Sequence, residues 1–442
     1  MKREKNCVFP RAFGKNLPKI AAAEGVWLED DSGKRYLDAS GGAVVVNVGH
    51  GRQEIARAVY NQILAHDYIH PTMFDAPVVA ELARGLAAYA PEGIDRFYFL
   101  SSGSEAIEAA VKLARQIHLA GGRPHRFRLV SRWKSYHGLT LGALSAMGRT
   151  AFRTPYAPML NDAVHIPPPY CLRCSYGLEP SACQLRCALA LEDVIENLGP
   201  DTVSAFLAET VSGGTLAACP PPAGYWKIIR QICDHYQVLL ILDEVMCGMG
   251  RTGRWFGCHH YQLKPDIMAL GKGISNGVVP LSAIGVQGRH YKAIRDSESG
   301  FVHGGTHTHH CVGAAAGLAV LRILESEHLV DDVDRRGPAL GSLLKEALCE
   351  NPHVADIRGI GFLWGVELVA DKTALTPFAR SEKIAERFRH AAFSRGVAIY
   401  ISTGLAGRDG DAFLIAPPFT ATDQDLAWAG EQIADALEST LG

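Results

Sequence analysis

The stretch VLLILDEVMCGMGRTG (residues 238–253), followed by IMALGKGISNG (residues 267–277), decides how this chain is read. Val238 to Leu242 form a continuous apolar run that ends in Asp243 and Glu244. Ile267 to Leu270 form a second run that ends in Gly271, Lys272 and Gly273. Short apolar runs bounded by glycine and charge read as buried strands of a parallel sheet. Such sheets place their chemistry beyond the carboxyl ends of the strands. A carboxylate and a lysine are therefore expected at one edge of one sheet.

Working outward, apolar runs at Phe97–Leu100, Phe127–Ser131, Val203–Ala208 and Ser282–Val286 read as further strands. Helical periodicity is expected over Gln53–His66, Asp75–Tyr89, Ser104–His118, Gly224–Tyr236 and His310–Ser326. This alternation predicts an α/β fold, a mostly parallel sheet flanked by helices. Val26–Glu29 and Arg35–Leu37 read as strands around the turn Asp30–Gly33. Beyond Val330 the pattern changes to helix, strand and helix. Helices are expected near Arg335–Cys349, Glu382–Arg395 and Asp423–Leu441, with strands at Val397–Ile401 and Ala412–Ile415. The expected division is residues 1–70 and 329–442 in a smaller α+β domain built from both chain ends, and residues 71–328 in a large domain.

The 442 residues are 48% apolar and 20% charged, with a net charge of −2, which gives no basic footprint for nucleic acid. No apolar run approaches the roughly 18 residues that span a membrane. The basic start MKREKNCVFPRAFGKN lacks the apolar core of a secretory signal, so a cytoplasmic location is the expectation. Eleven cysteines in such a chain fit reduced thiols better than a disulfide framework.

Four features carry chemistry. In FYFLSSGSEAIEAAVKLAR (97–115) a strand ends in Ser101–Ser104 and a helix begins. Free N–H groups and hydroxyls of Ser102, Gly103 and Ser104 can cradle a phosphate; a plain capping box is the competing reading. Tyr136-His137-Gly138 puts an aromatic near a strand end, where it can stack on a planar ring or simply pack. Asp243 closes an apolar strand and calls for a cationic partner; a helix cap is the alternative. Val245 is small enough to lie against a ring face. Lys272, between glycines, is placed to form a Schiff base. Phosphate site, stacking ring, anion and amine together are what pyridoxal 5′-phosphate requires.

At this point the chain resembles the class III, or omega, aminotransferases of the pyridoxal-phosphate-dependent fold type I. The resemblance runs through GVWLEDDSGKRYLD (25–38), NVGH (47–50), SSGSEA (101–106), YHG (136–138), AETV (208–211), the opening stretch, FVHGGTH (301–307) and APPF (416–419). It looks most like the taurine–pyruvate and amine–pyruvate subgroup. The resemblance implies that Ser102, Gly103 and Ser104 hold the cofactor phosphate. It places Tyr136 on one ring face, Val245 on the other and His137 nearby. It has Asp243 pair with the ring nitrogen and Lys272 bind the aldehyde and later move a proton. It also implies a homodimer in which Thr306 reaches the neighbouring subunit's cofactor phosphate, and a ping-pong transfer from an amine donor to a keto acid, pyruvate by expectation. A decarboxylating transaminase, an aminomutase or a non-catalytic cofactor-binding module are the competing functions.

Three departures bear on substrate. Many relatives carry arginine three residues before the Pro pair; here that residue is Leu414. Trp27, Glu209 and Arg408 are the substrate candidates, Arg408 for an acceptor carboxylate. The segment His307-Thr308-His309-His310-Cys311 replaces the relatives' usual sequence and is expected to reshape a pocket wall rather than bind metal. Cys171, Cys174, Cys183 and Cys187 have a spacing that can hold zinc, but a reduced loop or an adventitious disulfide is the expectation.

Overall fold

The structure is a computed structural model describing residues 7–14 and 17–442. The first strands are β1 (Ile20–Glu24), β2 (Trp27–Asp30) and β3 (Arg35–Asp38). Seven more follow: β4 (Ile94–Leu100), β5 (Arg128–Arg132), β6 (Val164–Ile166), β7 (Val203–Glu209), β8 (Leu239–Asp243), β9 (Ile267–Leu270) and β10 (Ser282–Gln287). They form one sheet in the order β4-β10-β9-β8-β7-β5-β6. β5 to β9 run parallel to one another, whereas β10 is antiparallel to both β4 and β9.

β7, β8 and β9 are buried along their whole length, as their unbroken apolar sequence requires of strands covered on both faces. The helix Gly103–Ala120 covers one face, burying Ile107, Ala110, Leu113, Ala114 and Ile117 at helical spacing. On the other face the helices Tyr225–Tyr236 and Cys311–Ser326 bury Ile229, Ile232, Val320 and Leu324 in the main core.

The remaining strands are β11 (Val354–Ile360), β12 (Leu363–Leu368), β13 (Val397–Ala398), β14 (Tyr400–Ala406) and β15 (Asp409–Ile415). β13 joins β3 in parallel, so one small sheet draws on both chain ends. β11, β12, β15 and β14 form a third sheet. The expected strand Val397–Ile401 is thus two strands in different sheets. The helix expected near Arg335–Cys349 begins earlier and spans Leu329–Leu348. Pro338 lies inside it and breaks the local sequence signal, while Asp331 and Asp332 in the first turn complement its positive end.

The GRTG part of the opening stretch ties these layers together. Arg251 is fully buried and donates to Phe362 O, Pro417 O, Val46 O and Asn47 Oδ1. Asn47 in turn donates through Nδ2 to Met249 O, and its backbone N–H donates to Asn276 Oδ1. One guanidinium therefore fastens segments near residues 46, 362 and 417 to the loop leaving β8.

Candidate active site

Because β7 and β8 are parallel neighbours with Glu209 opposite Asp243, their carboxyl ends deliver two carboxylates to one edge at one level. Lys272 follows β9 two residues past its last residue, with a left-handed φ of 47°. A cavity of about 450 Å³ opens there. Its walls include Ser102, Gly103, Ser104, Tyr136, His137, Glu209, Asp243, Val245 and Lys272. Nine of the residues singled out from sequence are thus gathered in one place.

Asp243 is 5% exposed. Its Oδ2 lies 2.8 Å from His137 Nδ1, and its Oδ1 accepts from Val245 N–H at 3.0 Å. His137 Nε2 lies 3.4 Å from Ser131 Oγ. The histidine therefore holds the carboxylate in place from behind. Glu244, the next residue, faces a different set of partners. It accepts from Thr210 Oγ1 and from the N–H groups of Gly257 and Cys258, which anchors the loop after β8. Burial raises its carboxyl to about 7.

Burial pushes the Lys272 ammonium down to about 8, against the opposing pull of the Asp243 and Glu209 carboxylates. A lysine with a lowered pKa has a larger share of neutral, nucleophilic amine near neutral pH. Glu209 is raised by burial; its oxygens accept from Gly213 N–H at 3.0 Å and Tyr136 N–H at 3.3 Å.

Ser102 has the geometry of the competing reading and also a place at the cavity. It caps the helix Gly103–Ala120 in a capping box with Glu105, and it lines the cavity. The N–H groups of Gly103 and Ser104 open that helix and have no intrahelical acceptor. The Ser104 hydroxyl accepts from Leu139 N–H at 3.1 Å, which leaves its proton to donate. Gly138 has φ +123°, and a Cβ there would collide with Ser104 Oγ. Gly138→Ala is expected to displace Ser104 at a cost of about 1–3 kcal/mol. Purified Gly138→Ala protein should retain measurably less pyridoxal phosphate after gel filtration than the parent; equal retention would contradict this arrangement.

Helix N-terminus, buried carboxylate, activated amine and Tyr136 wall match the four parts of pyridoxal phosphate, so these residues fit that cofactor. The Aminotransferase class-III family matches residues 10–437. This chain belongs to the class-III aminotransferases. Members of that family use pyridoxal phosphate. Taurine–pyruvate aminotransferase of Bilophila wadsworthia is 35% identical over 410 residues, covering 91% of this chain and 88% of the relative. An (S)-enantioselective omega-transaminase from Thermomicrobium roseum superposes with a TM-score of 0.90 at 36% identity, covering 97% of this chain and 94% of that one. The omega-transaminase of Pseudomonas jessenii in complex with PMP superposes with a TM-score of 0.90 at 31% identity, covering 96% and 93%.

Not every candidate of this class-III aminotransferase reaches the cavity. Trp27 does not: its ring lies 5.4 Å from that of Trp428 in the last helix, with the Arg35 guanidinium 4.6 Å from its centre. It is a packing residue in the protomer. Arg408 sits in the turn between β14 and β15 and lines a neighbouring cleft of about 690 Å³, not the Lys272 cavity. Thr306 lies exposed in a turn outside the cavity's walls. Leu414 is fully buried among Val44, Val211 and Leu405, so that position serves the core.

His310 caps the helix Cys311–Ser326 by accepting from Gly313 N–H, and the His309 ring packs edge-on against Tyr98 at 4.7 Å. The four cysteines at 171, 174, 183 and 187 are free thiols around one cleft of about 20 Å³. Among the described residues no group of three metal-ligating side chains is set to hold an ion, and no helix is long and apolar enough to cross a membrane.

The sequence reading missed Ala43, Arg149, Phe152, Met246 and Tyr400, all of which line the cavity. Met246 follows Val245 in the loop leaving β8; the other four arrive from the segment after Ser40, the loop after Met147 and the edge strand β14.

Proposed function

We propose that this aminotransferase moves an amino group from an amine or omega-amino acid donor to a keto acid, pyruvate foremost, in a ping-pong cycle. The observation that carries the reading is the convergence of Lys272, Asp243 and the Ser102–Ser104 helix start on one cavity. Pyridoxal phosphate, when bound, supplies the aldehyde and the ring that takes up electrons from the donor carbon.

On this reading Gly103 and Ser104 hold the phosphate through N–H and hydroxyl donors. Tyr136 and Val245 enclose the ring. Asp243, steadied by His137, presents negative charge to the ring nitrogen. Lys272 would hold the aldehyde through Nζ, and its Nζ, when free, would take and return the proton at the donor carbon. Glu209 fixes Tyr136 through its backbone and sets a polar limit to the substrate space.

The assembly we favour is a homodimer in the cytoplasm, with each Thr306 reaching the cofactor phosphate of the other subunit. Its exposure in a turn away from its own cavity supports this. A panel of amines offered with pyruvate, read as alanine formed, tests the reading and names the donor. Alanine formed with release of CO2 would mark a decarboxylating transaminase instead, and no alanine from any amine would contradict the proposal.

A further inference from the structure

We infer that Arg149 is the carboxylate-binding residue of this cavity, gripping the keto-acid acceptor in the role that position 414 cannot play here. This rests on the aminotransferase reading above. The first support is the way Arg149 is held. Its backbone root is pinned, because Gly148 N–H donates to Ser135 O at 3.2 Å and Oγ at 3.1 Å, while Lys134 N–H donates to Gly148 O at 2.9 Å. Gly148 has no room for a Cβ against Arg132 O and Lys134 N.

At the other end Arg149 Nη2 donates to Thr403 Oγ1 at 2.9 Å and Thr403 O at 3.2 Å. The guanidinium lies over the Phe152 ring at 4.7 Å. A planar fork fixed on one nitrogen and one face keeps its other donors in a constant direction, as bidentate carboxylate recognition needs.

The second support is that the charge lacks a protein partner. Among the described residues no carboxylate comes within ion-pair distance of Arg149. Asp243 and Glu209, the two carboxylates of the cavity, are bonded to His137, Val245, Tyr136 and Gly213. A half-buried cation without a counter-ion is costly, and a substrate carboxylate offsets that cost only when it is bound.

The third is position. Arg149 lines both the Lys272 cavity and the neighbouring cleft, which also presents Lys134, Arg380 and Arg408 and has no Asp or Glu among its described lining residues. Arg380 is paired with Glu386, so an anion entering through that cleft meets the charges of Lys134 and Arg408 and reaches Arg149 at the shared wall. Arg408, excluded from the cavity, belongs to this approach. Arg11 also lines the cavity, but it lies exposed on the N-terminal segment.

The test compares two acceptors of the holoenzyme, pyruvate and propanal, which lacks the carboxylate. For Arg149→Gln the ratio of kcat/KM for pyruvate to that for propanal is expected to fall at least about tenfold, mainly through the KM of pyruvate. Arg149→Lys, which keeps the charge and loses the fork, should recover part of that ratio. A ratio within about twofold of the parent in both variants, with either one soluble and cofactor-loaded, overturns the inference. So does a fall confined to Arg11→Gln. If the parent protein transfers amine to neither acceptor, the aminotransferase reading itself fails, an outcome distinct from an unmoved ratio in an active enzyme.

Discussion

Lys272→Ala is expected to lower kcat by about 10⁴-fold or more, because in the proposed cycle one side chain has two tasks, holding the aldehyde and moving the proton, and general acid–base transfer alone is worth about 10²–10⁴. No neighbour stands ready to replace it. Other titratable groups of the cavity include Asp243 and Glu209, carboxylates engaged by backbone or histidine donors, His137, which is held against Asp243, and Tyr136. Added methylamine should restore part of the rate by supplying the missing amine, whereas a fold defect would not respond. The same residue gives a pH signature. With its ammonium lowered to about 8, the rate at which apoprotein takes up pyridoxal phosphate should rise with pH through that value and then level. The direction follows from the neutral amine being the nucleophile. A rise continuing unbroken to the ordinary lysine range near 10.4 would show that the amine is not desolvated as the structure has it.

Asp243→Asn carries the second-largest expected effect, a fall in kcat of about 10²–10³-fold with KM for the donor changed far less. Asparagine preserves the shape and can still accept from Val245 N–H, so the loop after β8 should stay in place. The negative charge is what disappears, and with it the interaction that, in the proposed cycle, would keep the cofactor ring nitrogen protonated. His137 also loses the carboxylate 2.8 Å from its Nδ1. The measurement is steady-state kinetics from pH 6 to 9 on protein shown to retain cofactor. A kcat within about threefold of the parent would place Asp243 outside the chemistry.

Both residues were legible in the sequence for one physical reason. Strands buried on both faces are written as unbroken apolar runs, so their ends are marked sharply. A polar residue at such an end is costly unless it has work there. Asp243 and Lys272 could therefore be placed at one sheet edge from spacing alone. Ser102 was legible with two meanings; the capping box is present, and a helix start capped in this way still offers its first N–H groups to a ligand.

Trp27 shows the opposite case. On a short hairpin strand nothing local distinguishes a ring facing substrate from one facing the last helix. The choice is made by Trp428, four hundred residues away. Arg149 and Tyr400 were illegible for the same reason. Arg149 becomes a site residue only because Thr403, on a strand from the far end of the chain, holds its tip. The split of the expected strand Val397–Ile401 between two sheets brings Tyr400 to the cavity wall, which no pattern of apolar residues could announce.

The central claim is that one cavity binds pyridoxal phosphate through Lys272 and passes an amino group in two separable halves. The most direct measurement is the absorption spectrum of the cofactor-loaded protein during sequential additions. The account predicts a visible band that is lost when a productive amine is added alone and returns when pyruvate is added, with one alanine formed for each site restored. A protein with no such band, or a band unmoved by every amine while the cofactor remains bound, would contradict it.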